Sequence, residues 1–389
     1  MSTEPSTTYA LVSHESAVEA IWALAARGWK GVLDDDNVWL VPSPENCVKT
    51  QGEVKKLAAE VDLAALGINR TPIDLLVPDK SCYSRGKRAK FHVWGDFFAP
   101  RSFVRVHERV LVSTPYFAVL QLAMWCRVDR LSHEEACRSA EEDARLRAEL
   151  GVEGEGSTAE ELVRWENIAR LVRAVQVLSD FMGTYRYALA VADGAEKQPD
   201  ITYGTQPIVT PEHMAAYLAQ MGSVRGIERA RRVSDLAYAG AASPMETFLA
   251  LMLSLPCDMG GFGLPRPQMN YEVHVDAQRR ELSSQETMFV DLGWPDPKVS
   301  VEFYGWDEHF GAGPVKVASD ASRANSLTAL GWTVFHVTYE QVKTVASVTL
   351  LARQVAAALG VSLPELSDLE LVWRSRLLAL LLPKTGRQL

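Results

Sequence analysis

Apolar and polar positions alternate along this chain in two rhythms, and the rhythms mark out its elements. Residues 11–30 (LVSHESAVEAIWALAARGWK) repeat their apolar positions at helical spacing and predict an amphipathic helix, with Ser13 or Ser16 as cap. From 69 to 112 the period falls to two: TPIDLLVP, AKFHVWG and SFVRVHERVLVS alternate apolar and polar residues between turn signals and predict strands. The stretch STPYFAVLQLAMWC returns to a helix, capped by Ser113 or Thr114 with Pro115 at its first position, where a missing N–H costs nothing.

Residues 132–149 predict a charged helix opened by a Ser132/Glu135 capping box, and GVEGEGST a glycine-rich joint. A long apolar-periodic helix is expected over 158–193, followed by a linker near 194–212 and more helix to about 240. The last part starts with a helix at SPMETFLALMLSLP, capped by Ser243 with Pro244 first. A Gly/Pro loop follows, then three strand-like runs (YEVHVDA, ETMFVDLGW, KVSVEFYG), a helix over SDASRANSLTALGW and a strand, TVFHVTY. In outline this is α-βββ-α-β, with further helices behind it. The expected organisation is a mixed region 1–130, a helical region 131–240 and a third domain 241–389.

Composition narrows the classes. Among 389 residues, 47% are hydrophobic, enough for more than one core. No apolar run reaches the roughly 18–20 residues of a membrane span, and the N-terminus lacks a basic stretch followed by an apolar one. Five scattered cysteines without zinc spacing are expected to be reduced thiols, which together predict a cytoplasmic protein without membrane attachment. A net charge of −9 weighs against a general nucleic-acid coat, whose binding runs on phosphate neutralisation. It leaves room for a metal enzyme, whose site needs local acids. No Walker loop, GxGxxG or GxSxG motif is present.

The candidate chemistry gathers in VDLGWPDPKVSVEFYGWDEHF, residues 290–310. Asp291 stands near the end of one predicted strand and Glu302 within the next, with the turn WPDPK between them. A short antiparallel turn can bring both carboxylates to one place, and Glu246 on the preceding helix can supply a third. Mg²⁺ prefers such oxygen ligands, and a bound ion can polarise a phosphodiester and activate water. The alternative reading of the same acids is a solvated hairpin. The basic run SRGKRAK, with Arg85, Lys87 and Arg88, and the helical VRGIERARR, with Arg225, Arg229 and Arg232 on one face, are candidates for phosphate contact or ordinary solvated charge. His336 and His274 are expected on strand faces, and Trp294 and Trp332 in the core.

From Pro244 to about Tyr339 the chain resembles the restriction-endonuclease-like PD-(D/E)xK superfamily, and within it bacterial proteins related to very-short-patch-repair endonucleases. The resemblance rests on SPMETFLALML, VDLGWP, VSVEFYGWDEH and SDASRANSLTALGWTVFHV, in that order. It implies an α/β (α+β) fold with an α-βββ-α-β core and a Mg²⁺-dependent DNA endonuclease. In that reading Glu246, Asp291 and Glu302 serve the metal, and His309 lies near the scissile phosphate. Asp320 and Arg323 belong to a flanking helix, Arg323 on the nucleic acid. The superfamily's lysine, two residues beyond the strand carboxylate, is replaced by Tyr304, which is neutral near pH 7; His309 or Lys316 is the expected substitute. Upstream, PIDLLVP and VRVHERVLVSTPYFAVLQLA resemble AbiEi-type antitoxin and transcription-regulator proteins. That resemblance implies a second possibility: a non-catalytic regulator that binds DNA, a toxin or another protein partner and keeps a nuclease fold without its chemistry.

Overall fold

The computed structural model describes residues 8–29, 39–40, 46–82, 86–95, 98–124, 133–152, 156–188, 200–283, 285–304 and 314–383, with the backbone alone at 39–40, 133–138, 188, 200 and 314–320. It is an α+β chain with three sheets among the described residues. Two compact units divide it: the first takes 1–125, 170–239 and 384–389, the second 126–169 and 240–383.

In chain order the first unit opens with β1 (Ala10–Val12) and α1 (His14–Ala26), the latter with Ser13 at its extended N-cap. The helix was expected from residue 11. Instead Ala10–Val12 form a fully buried central strand, parallel to β6 (Val110–Ser113) and antiparallel to β3 (Ile73–Val77). Three residues are too few to display a period of two, so the strand is invisible until its partners are known. β2 (Trp39–Leu40), α2 (Gln51–Glu60), β4 (Ala89–Val93) and β5 (Phe103–His107) complete the early elements, and the six strands run in the order β2-β5-β6-β1-β3-β4. α3 (Pro115–Leu122) starts as its sequence predicts, with Thr114 at the cap.

After α4 (His133–Leu150), α5 (Ala159–Phe181) stops well short of the expected residue 193. The chain turns at Gly183, and β7 (Tyr185–Ala188) pairs antiparallel with β8 (Asp200–Tyr203). Tyr185 and Tyr187 are strand-favouring residues whose preference overrides the apolar helical spacing there. Part of the expected linker is thus β8, followed by α6 (Pro211–Gln220) and α7 (Ile227–Leu236). The arginine face expected around α7 does not form. Arg225 precedes the helix, and Arg229 is buried and donates to the Ala123 carbonyl at 2.5 Å.

The second unit carries the outline α-βββ-α-β. α8 (Pro244–Ser254) begins with Ser243 accepting the Glu246 N–H at 3.2 Å. β9 (Gln268–His274), β10 (Thr287–Trp294) and β11 (Val299–Tyr304) are antiparallel neighbours. α9 (Pro314–Ala329) then crosses over to β12 (Thr333–Thr338), which lies parallel to β11, giving the order β12-β11-β10-β9. A parallel neighbour requires such a crossover, and a helix supplies it. Leu327 of α9, Leu330 and Trp332 pack on Val273, Val275, Met288 and Val290 of the sheet and its edge, forming a core on that face. α10 (Val345–Leu359) and α11 (Asp368–Leu381) follow. Among the described residues no helix is long and apolar enough to cross a membrane, and Cys47, Cys82 and Cys257 are free thiols.

Candidate active site

The site is a fork between two strands. β10 and β11 are paired from Trp294–Val299 to Leu292–Val301, and the ladder stops there. One step further come Asp291 and Glu302. At the fork, main-chain groups find side-chain partners instead of the opposite strand. The Phe303 N–H donates to Asp291 Oδ2 at 2.7 Å, and Arg323 Nη1 donates to the Phe289 carbonyl at 2.5 Å. Those bonds hold the opening, because main-chain groups left unpaired inside a protein are costly.

Glu302 is 2% exposed. Its Oε2 accepts from Arg323 Nη2 at 2.5 Å, while Oε1 is buried without a hydrogen-bond partner among the described residues. Glu246 reaches the same region from the first turn of α8. Its Oε2 accepts from the Ala242 N–H and from Asn270 Nδ2, both at 2.8 Å. Asn270 occupies the gap in the β9–β10 register between Tyr271–Val290 and Met269–Leu292, opposite Asp291. Its φ of +45° is a left-handed conformation that asparagine tolerates better than most residues. That backbone twist accompanies an amide that also donates to the Gly240 carbonyl at 2.8 Å.

Electrostatics bind the three acids into one group. Burial, and then the charge of Asp291, push the Glu246 carboxyl up to about 7, against the opposing Ala242, Asn270 and Ser243 bonds. The same two causes push Glu302 up to about 8, even though Arg323 and a main-chain hydrogen bond from Asp291 pull it down. Arg323 is itself raised: the carboxylates around it outweigh the burial that lowers it. The arginine therefore stays a cation, and the surplus of negative charge resides on the carboxylates. Like charges confined in a low-dielectric place disfavour one another's ionised form, so this group is short of positive charge.

Of the other sequence candidates, Tyr304 lies two residues beyond Glu302 on the same strand. It is half-buried, with its ring 4.8 Å from that of His336. His336, opposite Glu302 on β12, is exposed, and His274 is exposed as well. Trp294 is buried and donates to the Pro265 carbonyl. Lys87 and Arg88 are exposed just before β4, in the first unit, whereas the carboxylates belong to the second. Arg85 and His309 lie outside the described residues, as do the side chains of Lys316 and Asp320. Sequence reasoning missed Asn270 altogether. It also placed Arg323 on a nucleic acid without seeing that it bonds Glu302. The hydrogen-bonding side chain of Asn270 at the start of a strand run is the only trace it leaves in the sequence.

Among the described residues, no three or more His, Cys, Asp or Glu side chains form a group that could by itself hold a metal ion. Mg²⁺ does not need such a cage. It keeps several waters and is commonly bound by one or two carboxylates together with substrate phosphates. The all-oxygen donor set and the orphaned Glu302 Oε1 fit that mode of binding.

Two proteins of Mycobacterium tuberculosis are similar to this chain: the uncharacterized protein MT2308 of strain CDC 1551 / Oshkosh and the uncharacterized protein Rv2248 of strain ATCC 25618 / H37Rv. Each is 30% identical over 126 residues, which make up 32% of this chain and 41% of the relative. The chain thus spans about two fifths of the length of the curated relatives it matches. No family model matches the chain, and no solved structure matches it significantly.

Proposed function

We propose that the second unit is a restriction-endonuclease-like core that hydrolyses phosphodiesters in DNA with the help of Mg²⁺. The observation that carries this reading is the buried, unpartnered Glu302 Oε1 at the mouth of the fork, beside Asp291. A buried carboxylate oxygen without a donor, crowded by like charge, is expensive in a purely structural role and economical where a cation arrives. The element order α-βββ-α-β and the carboxylates on α8, β10 and β11 support the same reading. Asp291 and Glu302 would hold the ion. Glu246, held by Ala242 and Asn270, keeps a further negative charge behind them. When bound, the ion neutralises these acids and polarises a phosphate and a water.

A second reading has its own observation. Tyr304 occupies the position of the superfamily's lysine, and Arg323 already engages Glu302, which favours a non-catalytic, antitoxin-like regulator that binds DNA or a protein partner. Plasmid nicking in Mg²⁺ or Mn²⁺ separates the two. The enzyme reading expects cleavage by the wild type and a loss of about 100-fold or more in Asp291→Ala. Wild-type protein that never cuts, or cutting indifferent to Asp291→Ala, leaves the regulator.

A further inference from the structure

Arg323 brings a cation to the fork. Arg323 comes from α9, the crossover helix, and its guanidinium bridges the two arms, donating to the Phe289 carbonyl on β10 and to Glu302 Oε2 on β11. The two members of the ion pair are unequally placed. The side chain of Glu302 is 2% exposed, whereas that of Arg323 is 28% exposed and keeps a route to solvent. Tyr304, two residues beyond Glu302, brings no positive charge to the same side of the strand. The positive charge that Arg323 brings to Glu302 is therefore tied up by the acid a metal would need.

We infer that Arg323 is a displaceable latch: it neutralises Glu302 while the site is empty and turns to a DNA phosphate once Glu302 is taken or neutralised, so that cation binding and DNA binding reinforce each other. The inference rests on the reading that this fork faces a phosphodiester. Its physical basis is competition. The two N–H groups that Arg323 now gives to Glu302 Oε2 and the Phe289 carbonyl cannot at the same time form a two-pronged bond to a phosphate. Whatever relieves Glu302 of its charge releases the arginine, and by linkage the gain in one affinity equals the gain in the other. The arrangement supplies from a helix the positive charge that Tyr304 does not supply from the strand.

The test needs neither cleavage nor metal. Binding of a short fluorescein-labelled DNA duplex is followed by anisotropy in EDTA at about pH 9, where the Glu302 carboxyl of the wild type is ionised, over a range of salt concentrations, for wild type, Glu302→Gln, Arg323→Gln and the double variant. Glu302→Gln imitates the neutralised acid and is expected to bind about 10-fold more tightly, with a salt slope steeper by about one. Arg323→Gln is expected to bind no better than wild type. In the double variant the gain from Glu302→Gln should vanish, a non-additivity that simple removal of a negative charge cannot produce. Arg323→Lys, which keeps the charge, should retain the response to Glu302→Gln and guards against a folding artefact. A gain from Glu302→Gln that is equal with and without the Arg323→Gln substitution overturns the latch, as does a Glu302→Gln variant that binds no better than wild type. Failure of the nuclease reading shows elsewhere, as absent Mg²⁺-dependent cleavage with this contrast in EDTA intact.

Discussion

Asp143 and Glu302 are buried in the same unit to the same depth, 1% and 2% exposed, and each lies against arginine. Their surroundings differ in completeness. Asp143 Oδ1 accepts from Ser157 Oγ at 2.7 Å and lies 3.5 Å from Arg376 Nη2; its Oδ2 accepts from the Ser157 N–H and Arg147 Nε, both at 2.8 Å. Burial would raise its carboxyl, but these donors together hold it below the ordinary value. Among the described residues Glu302 Oε2 has the Arg323 donor and Oε1 has none, and the group is pushed the opposite way. A buried charge that only has to hold a structure together gathers a full set of donors. One that must meet something arriving later cannot. The contrast sets the two carboxylates apart, and it can be attacked from both sides.

The largest effect is expected on the structural side. Asp143→Ala removes the acceptor of Ser157 and of two arginines and takes from Arg376, itself 2% exposed, the buried carboxylate it is paired with. The expected loss is about 3–5 kcal/mol in urea denaturation. A loss under about 1 kcal/mol would mean that the donors around Asp143 find other partners, and the comparison would lose its reference point.

Glu302→Gln should do the reverse. A carboxyl raised from 4.5 to about 8 is protonated in the folded chain at pH values where the unfolded chain has released its proton. The folded state then binds more protons, so stability falls as pH rises from about 4.5 through about 8. Glutamine removes that decline, and the variant is expected to exceed wild type by about 2 kcal/mol near pH 9 while matching it near pH 5. Glu246, raised to about 7, leaves a residual slope of the same sign below that value. Asp143 gives the opposite limb: its contribution is complete above its ordinary value of 3.8 and is lost as pH falls through its lowered folded value. Thermal melts across pH decide the matter, and a wild-type profile that rises steadily from pH 5 to 9 contradicts the assignment for Glu302.

Much of the second unit could be read from the sequence because its signals are local. Ser243, Pro244 and Glu246 announce the start of α8, and the alternation around Val290–Leu292 and Val299–Val301 announces β10 and β11. The nearness of Asp291 to Glu302 followed from a short turn. The fork did not, because it depends on where two strands stop pairing and on side chains taking over main-chain bonds. Arg323 is 21 residues from Glu302 and 34 from the Phe289 carbonyl, distances at which no periodicity speaks. In the first unit, β1 was hidden by its brevity. The end of α5 was hidden because Tyr185–Ala188 continues an apolar pattern in a different backbone conformation.

The smallest expected effect tests the middle of the comparison. Glu246 stands between Asp143 and Glu302: its Oε2 has two donors, yet the group is raised. Asn270 supplies one of those donors and does so from a left-handed backbone. Asn270→Ala removes the amide and places a residue poorly suited to φ +45° at that position, for an expected cost of about 1.5 kcal/mol. Asn270→Gly removes the same amide but adopts the backbone freely, so its cost should be near ~0.5 kcal/mol. The difference between the two variants measures the backbone, and the cost that remains with glycine measures the amide's hydrogen bonds to Glu246 and to the Gly240 carbonyl. If both variants cost nothing, Asn270 is no support for Glu246, and the second carboxylate is held by Ala242 and Ser243 without it. If glycine costs as much as alanine, the amide bond outweighs the backbone, and Glu246 belongs with Asp143 among the charges whose donors the fold is built to supply.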